Sequence, residues 1–119
     1  MKRSFGFRAM CLGLVLAAAA CSDPETAKQE YLANGNKLLA EHKVREAIIE
    51  YRNAIRQDSK FGEARLKLAE AYAQASNPEA AFRETMRAAD LLPDHTQVQL
   101  TAGHYLLLAG RFEDAKTRA

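Results

Sequence analysis

Three histidines and two cysteines are the side chains best suited to metal or nucleophilic chemistry in this 119-residue chain. His42, His95 and His104 share neither a helical face nor a ligand spacing. A zinc site needs three or four ligands brought to one point, usually from short paired spacings. Glu41-His42 has no second histidine at the distance a zinc-protease helix requires. Cys11 and Cys21 lie in or at the end of an apolar run, away from any histidine. The sequence carries no G-x-S-x-G elbow, no phosphate loop and no C-x-x-C pair. The expectation is a protein that is not an enzyme and needs neither metal nor cofactor. Its work is then the work of surfaces, and the elements that shape those surfaces decide what it does.

The first element is a targeting segment. Lys2, Arg3 and Arg8 precede an uncharged run from Ala9 to Cys21. That run is shorter than the roughly 20 apolar residues a spanning helix needs. A basic start, an apolar stretch and a small-residue end read as a secretory signal over residues 1–20. Leu16, Ala17, Ala18, Ala19, Ala20 and Cys21 resemble the lipobox of bacterial lipoproteins, although Ala18 stands where that family more often has Leu. The resemblance implies diacylglycerol attachment at Cys21, with residues 21–27 as the lipidated N-terminus and a short linker. The alternative is cleavage between the same residues by an ordinary signal peptidase, leaving Cys21 as a plain thiol. Ser22, rather than Asp, follows Cys21. In Gram-negative lipoproteins Asp there tends to hold the protein at the inner membrane. The resemblance thus implies the periplasmic face of the outer membrane.

Processing also changes the charge. The whole chain carries 17 Lys+Arg against 15 Asp+Glu, a net +2. Loss of residues 1–20 removes three basic residues and no acid, which leaves a net −1. Phosphate backbones require a basic stripe, and no sequence run supplies one, so nucleic acid is not expected as a partner.

Beyond residue 27 the dominant signal is a period of 34. Gly35, Ala69 and Gly103 form one small-residue series, and Ala47, Ala81 and Ala115 a second. Ala54 and Ala88 begin a third. Small residues twelve apart, repeated at a fixed interval, describe two helices that approach closely and then stack on their copies. Helix A of the first repeat is predicted over Lys28–Glu41 and helix B over Val44–Gln57, with His42-Lys43 as the turn. Asp23-Pro24-Glu25 supplies start signals just ahead of it. The second repeat runs Gly62–Ala75 and Pro78–Leu91 across Ser76-Asn77. The third is predicted over Thr96–Ala109, with a turn at Gly110-Arg111 and a restart at Phe112. No segment alternates as a strand does, so the fold class is all-α.

These residues resemble the tetratricopeptide repeat (TPR) family, whose pattern is W-x2-L-G-x2-Y, A-x3-F and P in a 34-residue frame. Leu38, Tyr72 and Leu106 hold its Tyr slot; Tyr51, Thr85 and Ala119 its Phe slot; Ser59 and Pro93 its Pro slot. Departures fall at the Trp slot, which holds Tyr31, Arg65 and Gln99, and at the Leu slot, which holds Asn34, Leu68 and Ala102. The resemblance implies antiparallel helix pairs stacked as a right-handed superhelix, an α-solenoid over 28–119. Its repeats are 28–61, 62–95 and an incomplete 96–119. An array that stops within helix B3 reads as the N-terminal piece of a longer TPR protein, or as one that completes itself by oligomerising.

In TPR terms the concave face carries Gln29, Glu63 and Gln97; Leu32, Leu66 and Leu100; Asn36, Glu70 and His104; and Leu39, Ala73 and Leu107. The resemblance implies that these bind a protein or peptide segment. The leucines at positions 32, 66 and 100 admit two readings, an apolar strip for that segment or packing within the superhelix. Only Asn36 matches the Lys and Asn pattern with which some TPR domains clamp a terminal carboxylate.

Two longer runs carry a narrower resemblance. They are Lys43 through Ile55 with Phe61-Gly62-Glu63-Ala64-Arg65, and Leu107 through Ala115. They look like the TPR lipoproteins of exosortase (PEP-CTERM) systems, which accompany exopolysaccharide production and protein sorting. Two other functions stay open at this point. One is a pilotin-like lipoprotein that escorts a pilus or secretin component; the other is the docking module of a longer enzyme.

Overall fold

The computed structural model describes residues 23–118, with side-chain surroundings through Glu113. The described residues form five helices and no strand: α1 (Pro24–Ala40), α2 (Val44–Gln57), α3 (Gly62–Gln74), α4 (Pro78–Leu91) and α5 (Thr96–Arg118). The expected signal over 1–20 and the lipid site at Cys21 lie outside the described residues, as do the Ala115 side chain and Ala119.

Helix α1 begins at Pro24, so 24–27 are helical and not linker. Proline at the first turn gives up an N–H that has no intrahelical partner anyway. Glu25 in that turn favours the positive helix end and reaches Lys28 Nζ at 2.6 Å. Helix α2 carries apolar residues at 44, 47, 48, 51, 54 and 55, a stripe with helical spacing, and Ile49 stands off it, exposed. Ala47, Tyr51 and Ala54 along it are fully buried.

The two short turns end their helices in the same way. His42 (φ 61°) and Ser76 (φ 58°) take the left-handed conformation. Beyond each, a backbone N–H returns to the carbonyl five residues earlier: Lys43 to Leu38 and Asn77 to Tyr72, both at 2.9 Å. This is a Schellman closure, which satisfies the last helical carbonyls and reverses the chain. Asn77 then caps α4 by accepting the Ala80 N–H at 3.1 Å.

Helix ends recur at the same interval of 34. Asp58 donates to the Ala54 carbonyl as Leu92 does to Ala88. Phe61 donates to Asp58 as His95 does to Leu92, and Arg65 to Phe61 as Gln99 does to His95. The period seen in side chains is therefore a period of backbone hydrogen bonds as well.

Packing follows chain order. Helix α1 lies on α2, α2 on α3, α3 on α4, and α4 on α5. One cluster gathers Leu32, Ala47, Tyr51, Ala54, Ala64, Leu68 and Ala71 from the first three helices. A second joins Ala88 and Ala89 of α4 to Val98 and Ala102 of α5. The predicted turn at Gly110-Arg111 is not formed; α5 runs on as one helix to Arg118. Gly110 stands in register with His42 and Ser76, yet no described glycine has a positive φ. Reversal at 42 and 76 is rewarded by a second helix that packs on the first. Without that reward, a helical glycine costs only about 1 kcal/mol, less than breaking the hydrogen bonds around it.

Candidate functional site: the groove between α3 and α5

A groove of about 640 Å³ runs between α3 and α5 over the end of α4. Glu63, Leu66, Glu70 and Ala73 line it from α3, and Gln97 from α5, all five among the residues expected on a concave face. Their spacing of three, four and three along α3 puts them on one side of that helix. Thr85, Leu92 and Tyr105 extend the wall.

Its electrostatics are mildly acidic. Lys67 Nζ pairs with Glu70 at 2.9 Å, while Glu63 is exposed and unpaired among the described residues. The His95 ring is committed to structure: its Nδ1 accepts the Val98 N–H at 3.3 Å and so caps α5. Tyr105 is held edge-on against Phe82, with ring centres 5.7 Å apart. The result is an apolar floor with a polar rim, suited to an extended or helical segment with apolar side chains.

The remaining expected concave residues do not join this groove. Leu32 is 5% exposed and belongs to the first core cluster, so of its two readings the structure takes packing. Leu39 is half-buried against the same cluster. Asn36 accepts a hydrogen bond from the Tyr51 hydroxyl at 2.9 Å, and Gln29 lies exposed on α1. Leu100 and Leu107 are 64% and 69% exposed on α5, and His104 is exposed beside them. The three leucines at 34-residue spacing thus sit in three environments: core, groove wall and open surface.

Among the small residues, Ala47, Ala54, Ala81 and Ala88 are buried at no more than 1%, and Ala69 at 4%. A Cβ on Gly35 would lie 2.5 Å from Tyr51 Cε1, so the close approach there excludes any side chain. Gly103 departs from its series, because a Cβ there would meet nothing within 4 Å. No described group of His, Cys, Asp and Glu is arranged to hold a metal.

Several positions escape sequence reasoning. Arg65 and Gln99, which break the expected aromatic pattern, both reach back to close the preceding helix end. Arg65 Nε and Nη2 donate to the Ser59 carbonyl at 3.1 and 2.8 Å. Gln99 Nε2 donates to the carbonyls of Ala89 and Leu92 at 2.7 and 3.2 Å. Their common 34-residue spacing was the available signal. Glu84 is 5% exposed, neutralised by Arg65 and Arg87 at 2.9 and 3.0 Å. Lys28 bridges Glu25 and Asp58 and lies 4.9 Å above the Phe61 ring. Its hydrogen bond to Asp58 and then that to Glu25 raise its pKa; the same contacts lower both carboxyls. Burial, with Glu70 nearby, pushes the Tyr51 hydroxyl up to about 12.

In comparison with known proteins, the chain matches no family model and no curated relative.

Proposed function

We propose that the chain is a lipid-anchored TPR scaffold that binds a segment of another protein in the groove between α3 and α5. The observation that carries this reading is the groove itself: an open, apolar-floored channel built on one face of α3, with no catalytic or metal constellation among its lining residues. The hydrogen bonds that recur every 34 residues support stacked repeats, in which such a channel is the shared inner wall. Attachment through Cys21 supplies location at the periplasmic face of the outer membrane. Each buried CH₂ contributes about 0.8 kcal/mol, so two or three acyl chains anchor durably. Exosortase-linked protein sorting is the pathway that the runs over 43–55 and 107–115 favour.

Photo-crosslinking in intact Gram-negative cells tests this, with a photoreactive amino acid at position 66 and the leader retained. The expected result is capture of one discrete protein, lost in a second background carrying Ala73→Arg at the exposed groove wall. Capture of a pilus or secretin component would assign the scaffold to envelope assembly instead of sorting. Recovery of lipid or glycan alone would overturn the reading. Fractionation of Cys21→Ala checks the anchor, with release from the membrane expected.

A further inference from the structure

On the other side of α3 lies a cleft of a different kind. Residues 63, 66, 67, 70 and 73 face the groove, whereas 65, 68 and 72 face a cleft of about 450 Å³ between α2, α3 and α4. No residue lines both. Five arginines line the cleft, Arg52, Arg56, Arg65, Arg83 and Arg87, and Glu84 is its only acid. Half of the chain's ten arginines converge here, and none of its lysines does.

The single carboxylate is already used. Glu84 Oε2 takes Arg65 Nη1 at 2.9 Å and Oε1 takes Arg87 Nη1 at 3.0 Å, with Arg83 Nε at 4.0 Å. Arg65 also donates to the Ser59 carbonyl through Nε and Nη2, which leaves one N–H on each of its terminal nitrogens. Arg56 reaches only the Asn53 amide oxygen, at 3.4 Å, and Arg52 has no hydrogen bond or ion pair among the described residues. Neither Glu79 nor Asp90, the nearest acids along α4, pairs with an arginine among the described residues. Five positive charges against one negative leave an excess of four.

Helix stability disfavours this arrangement. Arg52 and Arg56 are like charges at i,i+4 on α2, and Arg83 and Arg87 repeat the conflict on α4. The two ladders meet across one concavity whose floor includes Leu68 and Tyr72, so water screens them less than it would on a convex surface.

We infer that this arginine cleft is a binding site for phosphate groups, separate from the protein-binding groove. Guanidinium forks match tetrahedral and planar oxyanions through paired N–H donors, and the match strengthens when several converge. A carboxylate brings one charge. A phosphate concentrates up to roughly two charges on one centre, which suits donors arriving from three helices. The phosphate belongs to a soluble ligand or to a lipid headgroup, and the experiment separates these.

Calorimetric titration of the full-length chain in a nonionic detergent with inorganic pyrophosphate, at fixed ionic strength, is the test. Wild type binds with a saturable isotherm. Arg52→Gln/Arg83→Gln, which removes two exposed charges and leaves Arg65 and Arg87, the two arginines hydrogen-bonded to Glu84, in place, weakens binding at least about tenfold. Lys37→Gln/Lys43→Gln removes the same net charge elsewhere and leaves the affinity within about twofold. Vesicles of phosphatidylglycerol in phosphatidylcholine then identify the source. Capture that pyrophosphate competes away assigns a lipid headgroup; pyrophosphate binding without capture assigns a soluble ligand. No binding by wild type, or equal weakening in both double variants, overturns the inference.

Discussion

Gly35 and Gly103 stand two repeat lengths apart in the same register, and their surroundings are opposite. At Gly35 the Tyr51 ring lies so close that even a methyl group has no room. At Gly103 the corresponding space is open. Tyr51 is itself fully buried, with its hydroxyl satisfied by Asn36. On α5, by contrast, the helix packs through Val98 and Ala102 near its start, while Leu106, Leu107 and Phe112 are more than half exposed. A repeated residue type thus records the register of a helix. Whether that register is filled depends on the element that covers it.

The largest expected effect falls where the register is filled. Tyr51→Ala empties the space over Gly35 and removes the hydrogen bond to Asn36, at a cost of roughly 3–5 kcal/mol in chemical denaturation. The two glycines sharpen the contrast. Gly35→Ala forces Tyr51 or the helix backbone to move and costs about 1–3 kcal/mol. Gly103→Ala meets no atom and gains about 0.5–1 kcal/mol, as expected of a helix-interior glycine replaced by alanine. A loss at both positions, or a gain at both, would break the comparison.

The smallest effect concerns the entrance to α1. Lys28 lowers the Asp58 and Glu25 carboxyls, so their contribution is present above the usual carboxylate range near 4 and is lost as pH falls through the lowered values. The Lys28 amine is raised by the same partners, so its contribution is present below about 10.4 and is lost as pH climbs through the raised value. Melting temperature against pH should therefore fall less steeply at both extremes in Lys28→Met than in wild type. The loss between about 10 and 12 from ionisation of Tyr51 remains in both proteins.

Much of the helical order was legible because its signals are local. The stripe on α2, the Asn77-Pro78 start of α4 and the turn residues His42 and Ser76 each act within a few positions. The five groove residues were legible through register, since a period of 34 returns each position to the same face. What stayed hidden depends on distant partners. Glu84 reads as one more surface charge until Arg65, nineteen residues earlier, is placed against it. Leu32 and Leu100 are the same residue type in the same slot, but the core cluster covers one and nothing described covers the other. The unbroken α5 is the same lesson at the backbone. Gly110 permits a turn, and only a helix packed behind it would require one.

Native-state hydrogen exchange on the full chain tests this account most directly, because it reads each amide separately. Amides of Ala54, Leu68 and Ala71 should exchange only through global unfolding, whereas those of Leu106 to Gly110 should exchange by local opening, orders of magnitude faster. Uniform protection along all five helices would contradict the account, since it would mean that the open register on α5 is filled in solution.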